Sequence, residues 1–191
     1  MENQLYTILI YSENVVGILN QITSVFTRLQ VNIESLNVSP SGIPHVHKYT
    51  ITIFSEPTQV QKIVKQIEKK VDVIKADYYL DDEIFTSEVA LFKLSTPKVI
   101  ANPEISQIIR HSDARMLEVN DTYITVHVCN SSKAIIELYK GLARYKCILQ
   151  YTRSGRVAIT RCKIEKVSEF LKEQKNAQFR FMEEGINSDN V

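Results

Sequence analysis

The hydrophobic period of this chain switches in a fixed order, and the order then repeats. Gln4 to Tyr11 is rich in β-branched and aromatic residues and reads as a strand. Ile18, Leu19, Ile22, Val25, Phe26 and Leu29 then fall along one helical stripe. Asn32 to Val38 reads as extended, and Ser39-Pro40-Ser41-Gly42 as a turn. From His47 to Phe54 the period is two, with Tyr49, Ile51 and Ile53 on one side and Lys48, Thr50 and Thr52 on the other. Pro57 suits a first helical turn, and Val60, Ile63, Val64 and Ile67 mark the buried face of that helix. Val71 to Tyr79 closes the series as a strand. The order β-α-β-β-α-β predicts a ferredoxin-like unit: an α+β fold with an antiparallel sheet and helices on one face.

The second half runs through the same order. Val89 to Leu94 reads as a strand, and Asn102-Pro103-Glu104 as the start of a helix with Ile105, Ile108 and Ile109 inward. Arg115 to Val119 and Tyr123 to Cys129 flank a hairpin-type turn at Asn120-Asp121. Ser131-Ser132 opens a helix with Ile135, Leu138, Tyr139 and Leu142 on one side. Cys147 to Thr152 closes the unit, and Ser154-Gly155 is expected to turn the chain into Arg156 to Thr160. The repeat is about 80 residues long, carried by pattern and not by residue identity. The expected division is a first unit over 1–80, an acidic linker over 81–86, a second unit over 87–162 and a charged tail over 163–191, partly helical or disordered, with Gly185 to Asn190 frayed. In the tail, Val167, Phe170 and Leu171 suit a short amphipathic helix.

Composition narrows the function classes. The net charge of the 191 residues is +1, which gives no bulk drive toward nucleic acid or an anionic membrane. Met1-Glu2-Asn3-Gln4 lacks the basic and apolar features of a signal sequence, and no apolar run is long enough to span a bilayer. Cys129, Cys147 and Cys162 have no metal-ligand spacing, and their odd number points to a reducing cytoplasm. The third strand, His47 to Phe54, has no glycine for the basic-Gly-aromatic-x-aromatic run with which a ferredoxin-like sheet binds RNA, and it carries one exposed lysine.

Only one segment suggests a site. Asn14-Val15-Val16-Gly17-Ile18-Leu19 joins a strand to a helix. Backbone N–H groups near Gly17, Ile18 and Leu19 at such a helix start suit a carboxylate. Gly17 would let a ligand approach the backbone, and the Asn14 amide would orient its polar end. The plain alternative is a tight turn that serves the fold alone. The matching connection in the second repeat, Ser95 to Asn102, contains no glycine, and there is none between Gly42 and Gly141. His45-Val46-His47 has the spacing of a metal pair on a strand, with Glu34 as a further donor; loop and strand-edge histidines are the alternative. His111 and Asp113 have no recognisable nucleophile beside them. The pattern favours a site that senses a metabolite over one that transforms it.

Asn14-x-x-Gly17-x-Leu19 followed by Asn32-Ile33-Glu34-Ser35-Leu36 resembles the N-terminal ACT domain of the acetolactate synthase (acetohydroxyacid synthase) small regulatory subunits. Val38-Ser39-Pro40, Lys48-Tyr49-Thr50-Ile51 and Val64 to Val73 extend the likeness. Tyr123-Ile124-Thr125-Val126 and Arg153-Ser154-Gly155-Arg156-Val157-Ala158 resemble the family's C-terminal domain. The resemblance implies a non-catalytic subunit that binds and activates a separate catalytic (large) subunit and confers feedback inhibition by valine or another branched-chain amino acid. Thiamine diphosphate, magnesium and, as an option, FAD would belong to that partner. The resemblance places the effector between the ACT domains of a homodimer, with Asn14, Gly17, Ile18, Leu19 and Ile22 from one chain and Asn32 and Ile33 from the other. Val15, Val16 and Gln30 depart from the residues common in the family, which bears on ligand choice. A freestanding ACT-type module acting on another enzyme, a transporter or a transcription factor is the rival reading.

Overall fold

The computed structural model describes residues 3–164 and 166–172; the frayed end expected at 185–190 lies outside them. The first unit consists of β1 (Gln4–Glu13), α1 (Ile18–Arg28), β2 (Ser35–Pro40), β3 (Val46–Ser55), α2 (Pro57–Glu68) and β4 (Val73–Tyr79). The second has β5 (Ile84–Ser95), α3 (Thr96–Ala101), α4 (Pro103–His111), β6 (Arg115–Val119), β7 (Tyr123–Asn130), α5 (Ser132–Ala143) and β8 (Ile148–Thr160). Each forms a four-stranded antiparallel sheet, ordered β2-β3-β1-β4 and β6-β7-β5-β8. These equivalent orders give two ferredoxin-like units.

Period-two alternation turns Tyr6, Ile8 and Ile10 of β1 and Tyr49, Ile51 and Ile53 of β3 toward the helices. Ile18, Ile22, Val25 and Phe26 of α1, with Val60, Ile63, Val64 and Ile67 of α2, close that core. The second core follows the same plan, with Phe92, Leu94, Ile124, Val126 and Val128 beneath Ile105, Ile109, Ile135, Leu138 and Leu142. Cys147 is also buried there. Its Sγ donates to the Leu142 carbonyl at 3.4 Å, and burial pushes its thiol pKa up. A thiol reagent should therefore label Cys129 and Cys162 in the folded protein and reach Cys147 only on unfolding, as peptide mass mapping would show. Rapid labelling of all three cysteines before unfolding would contradict this arrangement.

Several elements differ from the sequence expectation. β5 begins at Ile84, inside the segment read as a linker, because Ile84 is buried against the first unit. The connection Ser95 to Asn102 is itself largely helical: α3 starts at Thr96 with Pro97 in its first turn. Ser39 and Pro40 belong to β2, where an edge position tolerates proline. No turn occurs at Ser154-Gly155. β8 runs straight through as one strand, with a bulge that sets Glu88 opposite Arg156 and Ala90 opposite Arg153. The Ser154 Oγ accepts the Val89 N–H at 3.1 Å, and Gly155 takes φ +76°.

The bulge determines how the two units meet. A Cβ on Gly155 would stand 3.0 Å from the Ser35 Cβ, so β8 lies directly against β2. Beyond the bulge, Ala158 joins Ile84 and Val167 over Leu9, Tyr11, Val46 and Tyr79, on the face of the first sheet opposite its helices. Thr50 and Thr52 point toward that face and are buried as well. Beside the apolar patch, Arg156 reaches Asp81 at 2.6 Å, Ser132 at 3.0 Å and Glu88 at 3.6 Å. Glu88 is 4% exposed and also meets Ser132 and Arg153. The two repeats thus share a third core with an ion-pair cluster at its rim.

Candidate functional site

The turn between β1 and α1 is held by its own backbone. The Asn14 N–H donates to the His45 carbonyl at 3.2 Å, the Val15 N–H to Glu13 at 3.1 Å and the Ile18 N–H to Val15 at 3.4 Å. Gly17 is the N-cap of α1 at φ +89°, a left-handed conformation that strongly favours glycine. No side chain caps this helix end, and its first turn carries no acid. In the second unit Ser131 caps α5 and α4 has Glu104 in its first turn, while α3, which follows β5 as α1 follows β1, is likewise uncapped and without an acid but starts at Ser95 in an extended conformation and not at a left-handed glycine. Nothing lies within 4 Å of where a Gly17 Cβ would be. An open, uncapped helix start of this kind offers partial positive charge to an anion.

Asn14, Gly17 and Leu19 are exposed, as the sequence reading requires. Ile18 and Ile22 differ. Their side chains are buried in the first core, because the apolar stripe of α1 faces the sheet. They can offer a ligand no free side-chain surface, and Leu19, about 100° further round the helix, takes the outward position. Asn32 and Ile33 lie in the loop after α1, which turns at Gln30 with φ +54°. Asn32 is exposed, and Ile33 packs partly against the core. Together with Thr23, Thr27 and Val31 they line an open cavity of about 450 Å³. The 11-residue α1 separates the two groups, at about 1.5 Å per residue. One protomer does not bring them together.

The sequence reading did not anticipate what surrounds Asn14. A cavity of about 710 Å³ lies beside Asn14, and its lining includes Glu13, Ser41, Ile43, His45 and Ile74. The loop between β2 and β3 therefore borders the turn. Its sequence signal is the turn composition Pro40-Ser41-Gly42 with Pro44, which marks a loop but not what the loop lies against. His45 lies in this loop at φ +64°, outside β3, while His47 lies within β3 opposite Ser12. The two histidines therefore do not share a strand face as their spacing suggested. Among the described residues, no group of three or more His, Cys, Asp or Glu comes together to hold a metal. His111 is bound to the Gln107 carbonyl of its own helix at 2.8 Å. No described helix is long and apolar enough to cross a membrane.

Two tandem ferredoxin-like units, the first with a glycine turn opening its first helix, define an ACT-type protein. Residues 8–75 match the model for the AHAS small subunit-like ACT domain, and residues 87–162 match that for the small subunit of acetolactate synthase. The acetolactate synthase small subunit of Bacillus subtilis is 32% identical over 154 residues, which span 80% of this chain and 88% of that protein. A probable small subunit from Methanothermobacter thermautotrophicus is 28% identical, over 84% of this chain and 95% of that one. The crystal structure of the Thermotoga maritima small subunit shares the fold, with a TM-score of 0.75 and 21% identity across 84% of this chain and 99% of that chain. The chain belongs to the acetolactate synthase small-subunit family.

Proposed function

We propose that this chain is the non-catalytic regulatory subunit of an acetolactate synthase. It binds the catalytic large subunit in the cytoplasm, raises its activity and makes it sensitive to valine or another branched-chain amino acid. The observation that carries this reading is the family match across both units. It also disfavours the freestanding module, since the second unit, too, matches the model for the small subunit of acetolactate synthase. The cofactors of the reaction, thiamine diphosphate foremost, belong to the partner.

A homodimer supplies what one protomer lacks. β2 is an edge strand with an unbroken register to β3, open to pairing with a second copy. Leu19 at 42% and Val38 at 38% exposure leave apolar surface on α1 and on this edge strand. A two-fold copy would set the Asn32-Ile33 loop of one chain near the α1 start of the other. The effector carboxylate then meets the N–H groups at Gly17, its polar end meets Asn14, and its side chain meets Leu19 and Ile33. Micromolar affinity for valine needs about 1 kcal/mol per heavy atom, below the ceiling of about 1.5. A coupling of about 1–3 kcal/mol suffices for useful inhibition.

The test is reconstitution with the large subunit, measuring acetolactate formation with and without valine, leucine and isoleucine. The expected result is a several-fold rise in turnover on adding this chain and its loss on adding one of the three. Unchanged turnover would reject the assignment.

A further inference from the structure

We propose that the C-terminal segment 166–172 is a clasp that holds the effector-site turn in shape through the β2–β3 loop. Residues 166–172 are helical. Val167 is 1% exposed in the third core, and Leu171, Ile43 and Ile74 pack against that same cluster. The Lys166 ammonium lies 3.3 Å from the Asp77 carboxylate and 5.2 Å above the Tyr79 ring, which ties the segment to β4. Ile43, Val46 and Ile74 have a second role: they line the cavity beside Asn14.

The link onward is hydrogen bonding of the backbone and of the Ser41 hydroxyl. The Ser41 Oγ accepts the Ile43 N–H at 3.1 Å and donates to the Ile43 carbonyl at 3.2 Å, and the Val46 N–H donates to that carbonyl at 3.2 Å. These bonds make residues 41–46 one compact loop. The loop in turn accepts the Asn14 N–H at the His45 carbonyl. One apolar cluster and one short hydrogen-bonded loop thus separate the clasp from the turn that ends at Gly17. Unseating Val167 removes support from Ile43 and Ile74. The loop then opens more often, and the turn loses the acceptor that orients Asn14. The coupling rests on contacts within one chain. Its regulatory meaning rests on the proposed amino-acid site.

Amide hydrogen exchange on the full-length chain tests this directly, with Val167→Asp and the milder Val167→Ala. The expected result is exchange at least ten-fold faster at residues 12–20 and 41–47, with residues 123–142 unchanged. A uniform rise across both units, or no change at 12–20, would overturn the proposal. Valine titration of the same samples separates the two readings. Valine binding that weakens at least three-fold in Val167→Ala supports both. Localised exchange without valine binding even in the wild type supports the clasp and rejects the ligand.

Discussion

Arg156→Ala is expected to destabilise the whole chain by about 3 kcal/mol, the low end of the range for breaking a buried ion pair by removing one partner. Arg156 and Glu88 are both nearly buried where the two units meet. Without the guanidinium, Glu88 retains Ser132 and the half-exposed Arg153 at 3.4 Å. That leaves a buried carboxylate short of compensation, and Asp81 loses its 2.6 Å partner. Urea unfolding should show a lower midpoint. Because the third core joins both sheets, the unfolding transition should remain single in the wild type and broaden in the variant. Arg153→Ala is the control: its side chain is 40% exposed, so its loss should change stability by less than about 1 kcal/mol. Equal effects of the two substitutions would show that the buried cluster does not hold the units together.

Gly17→Ala should act on the effector response more than on the fold. A left-handed backbone disfavours a Cβ by about 1–2 kcal/mol, and no neighbour would be struck. The chain can relieve the strain by rotating the turn, which tilts the N–H groups at the start of α1 away from a bound carboxylate. Valine affinity is expected to fall at least ten-fold, equivalent to about 1.4 kcal/mol, while activation of the large subunit persists. Lys62→Ala is the control, since Lys62 is exposed on α2, outside both the turn and the loop that supports it. It should change neither property. Calorimetry and inhibition curves on the two variants decide the point: an unaltered valine response in Gly17→Ala would remove the turn from the effector site.

The two sheets were legible in the sequence because each strand and helix buries one face. Ile51 and Ile53, or Val126 and Val128, announce that face locally, and the core cluster uses them accordingly. The bulge at Gly155 was not legible. Ser154-Gly155 has the composition of a turn, and only the partner strand shows that the chain passes straight through. For the same reason β5 extended further than its alternation suggested: Ile84 is apolar on account of the other unit, not of its own sheet.

The candidate site divides in the same way. Asn14, Gly17 and the uncapped start of α1 could be read from residue types, because a strand-to-helix turn with a left-handed glycine is a short-range property. Ile18 and Ile22 could not be assigned correctly from spacing alone, since a helical stripe can face a ligand or a core, and here the sheet takes it. The cavity wall at Ile43, His45 and Ile74 comes from a loop about 30 residues downstream of the turn and a strand about 60 residues downstream, distances at which local pattern carries no signal. By itself, the sequence determined the order of elements, the duplicated fold and the helix-start turn, all governed by dihedral preference and local burial. Tertiary structure alone decided that the second unit and the segment 166–172 lie over the open face of the first sheet. That outcome depends on apolar surfaces far apart in the chain meeting each other in preference to water.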